Sequence, residues 1–186
     1  MRKPVFDQGV FDNLVHYVIA SCPDTGKLGS TKLQKILWKV DTGWYKLHAK
    51  PITGASYVKR QYGPATDELW RGRERLVQRG LIRYWRDRAF TESHPKDVYV
   101  SQVHPITSVL TAEQRRLVDF WVREICDKHT AASISEDTHG YAWSIAEMGE
   151  EMPMASVFVE DIPEEADSES IEWATAEAKR LRLGET

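Results

Sequence analysis

Residues 29–80 read GSTKLQKILWKVDTGWYKLHAKPITGASYVKRQYGPATDELWRGRERLVQRG, and this stretch decides the fold. Thr31 with Gln34 three residues later has the form of a capping box, which satisfies two orphan backbone donors at a helix start. Leu33, Ile36, Leu37, Val40, Trp44 and Leu47 then recur at three- and four-residue steps, an apolar stripe of helical period that must be buried. Lys32, Lys35, Lys39 and Lys46 repeat beside it, so the spacing predicts a helix apolar on one side and cationic on the next. The helix has to stop at Lys50–Pro51, because proline disfavours helical backbone in the residue before it. Thr53, Gly54, Ser56, Tyr57 and Val58 supply a turn and then β-formers as far as Gly63. Pro64 suits a first helical position, so a second helix is expected from there to Gly80, the usual left-handed terminator.

Upstream, Phe11, Leu14, Val15, Val18, Ile19 and Cys22 form a helix-period stripe ending at Pro23 and led in by Asp7 or Gly9. Its His16 has no ligand-spaced partner and reads as a core or boundary residue. Within the 64–80 helix, Leu69, Gly72, Leu76 and Val77 mark the inner face, and Arg71, Arg75 and Arg79 an outer stripe. Gly72 costs about 1 kcal/mol against alanine inside a helix, which points to close approach of another helix. Leu81, Ile82, Tyr84 and Trp85 read as a strand, with Val98, Tyr99 and Val100 as its hairpin partner. Thr111 with Gln114 opens a helix whose Leu117, Val118, Phe120, Trp121, Val122 and Ile125 are apolar over most of its circumference, the pattern of a central core helix. Ser133 with Glu136 has the form of a third box, opening a short helix that runs to His139.

From Glu147 the composition shifts. Residues 160–169 are strongly acidic and contain Pro163, and Ile171, Ala174, Ala178 and Leu181 then share one narrow helical face. The expected architecture is α+β and predominantly α-helical: one compact helical domain over residues 1–159 with a small β-hairpin, followed at 160–186 by an acidic linker and a C-terminal amphipathic helix.

A chain of 186 residues can bury about 70% of its unfolded surface, so no metal or disulfide is needed for a core. Cys22 and Cys126, the only cysteines, both fall in helical patterns and read as free buried thiols of a reducing cytoplasm. No apolar run approaches the ~20 residues of a membrane helix, and the N-terminus lacks a signal-peptide core, so a cytoplasmic protein without membrane contact is expected. The net charge of −3 conceals an asymmetry: residues 1–88 carry +9 and residues 89–186 carry −12. The halves offer a cationic and an acidic interaction surface, or else neutralise each other within one fold.

Ser133, Ser135, Asp137, Thr138 and His139 superficially offer a nucleophile, a base and a carboxylate, but no nucleophile elbow or glycine-rich oxyanion loop accompanies them. No catalytic residue is assigned. His94, His104, His129 and His139 lack metal-ligand spacing, and Gly26 and Gly29 lack the strand and lysine of a phosphate loop, so neither metal nor cofactor is expected. The lysine stripe of residues 32–46, Lys59, Arg60 and the arginines from Arg71 to Arg88, interleaved with Tyr57, Tyr62, Trp70, Tyr84 and Trp85, fit a solvated face, a protein interface whose hot spots are arginine and aromatic, or a surface for nucleic-acid phosphates. Trp70, Arg71, Arg75 and Trp85 are the candidate partner-binding residues, on one exposed face.

Three motifs in order resemble a known family. Lys32–Trp38 with Pro51, Ile52, Thr53 and Gly54 is the first, Tyr62, Gly63 and Pro64 the second, and Ser133, Ser135, Thr138, His139 and Trp143 the third. Together they look like the signature of the Panacea domain, the SocA-like antitoxin family often called phage-associated, over roughly Phe11 to Trp143. The resemblance implies a non-enzymatic bacterial antitoxin that binds its cognate toxin directly. Homo-oligomerisation is an additional option, and of the partners open to the basic surface nucleic acid is the least expected. The resemblance also implies that Gln34, Gly63, Pro64, His139 and Trp143 serve the scaffold. The alternative is topological: helix, helix and hairpin in that order match a winged-helix regulator, with the 64–80 helix in the DNA major groove and the 81–100 hairpin as wing.

Overall fold

Asp7 opens the first helix by accepting a hydrogen bond from the Val10 amide at 3.0 Å. The computed structural model describes residues 4–88 and 95–158. In chain order it contains α1 (Gln8–Ser21), α2 (Ser30–His48), β1 (Val58–Arg60), β2 (Gly63–Ala65), α3 (Glu68–Gln78), β3 (Ile82–Asp87), β4 (Lys96–Ser101), α4 (Ala112–Lys128), α5 (Ala131–Asp137) and α6 (Tyr141–Ile145), with 3-10 turns at Thr107–Val109 and Met154–Phe158. The strands form two separate antiparallel pairs, β1 with β2 and β3 with β4, so the chain is a predominantly helical α+β fold. None of the described helices is long and apolar enough to cross a membrane.

The organising element is α2, which packs against α1, α4, α5, β2 and the Met154–Phe158 turn. Leu33, Ile36, Leu37 and Val40 are wholly buried, and Trp38 and Tyr45 nearly so. The apolar face therefore turns toward Trp38 and Tyr45, and Leu47, expected inside, is 71% exposed. The Thr31–Gln34 box does not form: Gly29 occupies the N-cap without a side-chain cap, because Gln34 bonds elsewhere. The helix ends one residue before Ala49, which takes the left-handed conformation at φ 52°.

Asp41, fully buried on α2, fixes the segment that follows. Its carboxylate accepts from the Ile52 amide (3.0 Å), the Thr53 amide (2.9 Å), the Thr53 hydroxyl (2.5 Å) and the Tyr57 hydroxyl (2.9 Å). Burial pushes the Asp41 carboxyl up, while these donors favour its ionised form. Tyr57 also meets Trp38 edge-to-face at 5.1 Å. Beyond it, β1 is covered on its second edge by the 149–152 segment: Lys59 donates to the Glu150 carbonyl, Gly149 to that of Lys59 and Met152 to that of Tyr57. The compositional shift at Glu147 thus marks a segment that shields a strand edge.

Pro64 lies in β2 and not at a helix start; α3 begins at Glu68. A proline is tolerated in this two-stranded edge because its missing N–H is not needed by a further neighbour. At the other end, Gly80 at φ +68° closes the helix as expected. Leu69, Gly72 and Leu76 are buried, but Val77 is 41% exposed. A β-carbon on Gly72 would stand 3.0 Å from Asp12 Oδ1 and 3.3 Å from Phe11 Cε1, so the glycine lets α1 approach α3. Asp12 cannot yield, since Arg75 grips both its oxygens at 2.7 and 2.6 Å. Gly72→Ala is expected to lower stability by about 1–2 kcal/mol despite its better helix propensity, a loss readable as a lower thermal midpoint.

The Thr111–Gln114 box is present in both directions on α4. This helix is less central than its composition implied: Val118, Val122, Ile125 and Cys126 are buried, Leu117 and Trp121 half-buried, and Phe120 is 50% exposed. Here α2 covers only one side. The next box is displaced: Thr130 caps and Ser133 is its reciprocal partner, so α5 starts at Ala131. The acidic stretch and final helix expected at 160–186 lie outside the described residues.

Candidate functional site

The three motif segments meet where α2 passes β2, α5 and α6. The Gln34 amide clamps the main chain of Thr66, donating through Nε2 to its carbonyl and accepting its amide through Oε1, both at 2.9 Å. One position on, Lys35 is buried to 1% exposure, and its Nζ donates to the Pro64 carbonyl at 2.9 Å. Desolvation with no carboxylate to offset it brings the Lys35 ammonium down to about 7. Gly63 is required beneath it. Its φ is +91°, and a β-carbon there would stand 2.6 Å from both Lys35 Nζ and Thr138 Oγ1.

From α5 and α6, His139 stacks on Trp143 with ring centroids 3.7 Å apart and 7° between planes. Trp143 Nε1 donates to the Arg60 carbonyl at 3.2 Å. Lys59 Nζ lies 4.1 Å from the Trp143 ring and donates to the Ala146 carbonyl at 2.9 Å and the Ser144 carbonyl at 3.4 Å, so β1 is tied to α6 by a cation–π contact and three hydrogen bonds to main-chain carbonyls. Burial and the Lys35 charge lower the His139 pKa. The hydroxyls nearby are committed elsewhere: Ser133 to the α5 cap and His129, Ser135 to the Ala131 carbonyl, and Thr138 to the Ile134 and Ser135 carbonyls. Asp137 pairs with Lys39 at 3.1 Å. The apparent nucleophile, base and carboxylate are therefore dispersed into helix caps and packing. Among the described residues no group of three potential metal ligands occurs; His94 lies outside them.

In front of this cluster lie two adjoining clefts of about 900 and 360 Å³, which share Ser30, Thr31 and Tyr62. Lys32 lines the larger, 8% exposed, with its Nζ on the Cys126 carbonyl at 3.3 Å; burial lowers its pKa. Trp70 lines the smaller. Tyr62 stands between the two at 60% exposure.

The four candidate binding residues do not share one face. Trp70 is 38% exposed, with the Arg73 guanidinium 5.2 Å from its ring and 4.1 Å from that of Tyr84. Arg71 is exposed and paired with Glu68 at 2.5 Å. Arg75 instead turns inward to Asp12 and holds α3 on α1. Trp85, 41% exposed, alternates with Tyr84 along β3 and so occupies the opposite sheet face. Tyr62 was visible in the sequence as one of several aromatics in a basic stretch, but its place between two clefts depends on β2 folding back over α2. The buried lysines carried no such signal: a lysine beside an apolar stripe ordinarily reads as solvated.

No curated protein and no solved structure matches the chain. The family model described as "antitoxin SocA-like, Panacea domain" matches residues 33–144, which contain the Gln34 clamp, Lys35, Gly63 and the His139–Trp143 stack. The chain therefore belongs to the SocA-like antitoxin family, as a Panacea-domain protein.

Proposed function

We propose that this member of an antitoxin family neutralises a cognate toxin by binding it directly, as a non-enzymatic surface of a cytoplasmic bacterial protein. The observation that carries the reading is the contrast within the motif region. Gln34, Lys35, Lys59 and Trp143 spend their polar atoms on main-chain partners, while large aromatic side chains beside them, Tyr62 and Trp70, stand exposed on the rims of open clefts. Aromatic and arginine side chains at a cleft rim are the usual anchors of protein interfaces. Trp70 and Arg71, with Tyr62, form the primary contact in this reading, Trp85 a separate outlying one, and Arg75 positions α3.

The test is co-expression with the product of the adjacent gene, followed by co-purification and a growth assay. Tyr62→Ala and Trp70→Ala are each expected to weaken the complex about tenfold to hundredfold while leaving the thermal midpoint within a few degrees. Absence of any complex with the unaltered chain would overturn the reading.

The order α3, β3, β4 matches one other reading, a winged-helix DNA-binding regulator, and the stretch from α3 through β3 carries Arg73, Arg79 and Arg83. Gel shifts with the operon's upstream DNA at two salt concentrations decide it. Sequence-dependent binding that weakens steeply with salt supports the regulator.

A further inference from the structure

Two cysteines from opposite ends of the described chain end up in contact. Cys22 caps the C-terminus of α1 and Cys126 lies in the last turns of α4. Their sulfurs are 3.5 Å apart, both residues are buried, and no disulfide joins them. Three features separate this pair from inert core thiols. The second thiol is held within bonding reach of the first, with Cys22 Sγ also within 3.3 Å of the Asp24 carbonyl. The cation of Lys32 is anchored to the Cys126 carbonyl and lowers the cost of a thiolate at either sulfur. Cys126 also lines the 900 Å³ cleft, which gives a small solute a route to the pair.

We infer that Cys22 and Cys126 form a peroxide-reactive dithiol, a modification site at which a hydroperoxide converts two thiols into an intramolecular disulfide tying the end of α1 to the end of α4. The hydrogen bond between the sulfurs lowers the Cys22 thiol, whereas Cys126 is pushed well above the usual thiol range. The attack is assigned to Cys22, whose sulfur has the Asp24 carbonyl at 3.3 Å beside the Cys126 sulfur at 3.5 Å, which leaves Cys126, on the cleft side, as the resolving thiol. The Cys22 thiolate displaces hydroxide from hydrogen peroxide, forming the S–O bond as the O–O bond breaks, and the hydroxide leaves as water after protonation. Cys126 then attacks the Cys22 sulfenic acid: the S–S bond forms, the S–O bond breaks, and the departing oxygen takes the Cys126 proton as a second water. Two thiols lose two electrons and one peroxide gains them.

The experiment treats the reduced full chain with about a tenfold excess of hydrogen peroxide, then unfolds it, alkylates it and weighs it. The expected result is a monomer about 2 Da lighter in which neither thiol is alkylated, restored by dithiothreitol. The oxidised form should also show a higher urea midpoint than the reduced form, because the cross-link closes a loop of about a hundred residues. Cys126→Ser should stop at a Cys22 sulfenic acid that dimedone traps, and Cys22→Ser should leave Cys126 alkylatable. The proposal is overturned if both thiols of the treated chain remain alkylatable, if oxidation yields only disulfide-linked dimers, or if Cys22→Ser traps as much dimedone on Cys126.

Discussion

Asp41→Ala is expected to cost about 3–5 kcal/mol, enough to unfold a chain of ordinary stability at moderate temperature. The carboxylate is wholly buried and accepts from four donors on Ile52, Thr53 and Tyr57. Truncation leaves the Ile52 and Thr53 amides and the Tyr57 hydroxyl without their acceptor in a dry interior, at about 1–3 kcal/mol each before relaxation. Asp41→Asn keeps the volume and replaces one acceptor oxygen by a donor that faces other donors, so it should recover little. Urea unfolding should show the midpoint of the alanine variant lowered by about 2 M, for an m-value of about 2 kcal/mol per M. A loss under 1 kcal/mol would mean that packing of Tyr57 on Trp38, and not the carboxylate, holds residues 52–57 to α2.

Lys35→Met is expected to do the opposite. The Lys35 ammonium falls to about 7 in the folded chain, against about 10.4 unfolded. Between these values the unfolded state binds more protons, so the stability of the unaltered chain rises with pH through this window. Its slope is at most about 1.4 kcal/mol per unit. Below about pH 7 both states are protonated, the slope vanishes and the full penalty of a buried charge remains. Methionine fills a similar volume without that charge and gives up one hydrogen bond, to the Pro64 carbonyl, worth about 1 kcal/mol. The variant should therefore be more stable than the unaltered chain at pH 6 by about 2–3 kcal/mol, with the difference shrinking toward pH 9. Taking the difference between the two proteins at each pH removes the other titrating groups, His139 among them. Parallel curves would show that Lys35 keeps its proton in the fold.

What could be read in the sequence was what rests on near neighbours. The Thr111–Gln114 box formed because no distant group competes for Gln114, and Gly72 signalled a helix crossing because only a close approach justifies a mid-helix glycine. The failures share a cause. Gln34 left its expected cap for Thr66, Arg75 left the surface for Asp12, and Lys32 and Lys35 went inside to reach the carbonyls of Cys126 and Pro64. Each partner lies 29 to 94 residues away along the chain, beyond any periodicity argument. The motif residues could be read as scaffold from family resemblance, whereas the pairing of Cys22 with Cys126 had no local trace at all.

One trait of the motif region bears on how such a protein changes over generations. Gln34, Lys35, Lys59 and Trp143 all grip carbonyls or amides, groups that every residue type supplies. The side chains of the gripped segment, Tyr62 and Ala65 among them, are consequently exempt from maintaining the frame. Mutation can redraw that strip of surface without loosening what lies beneath, so the outer side chains can diverge while the same chassis is inherited.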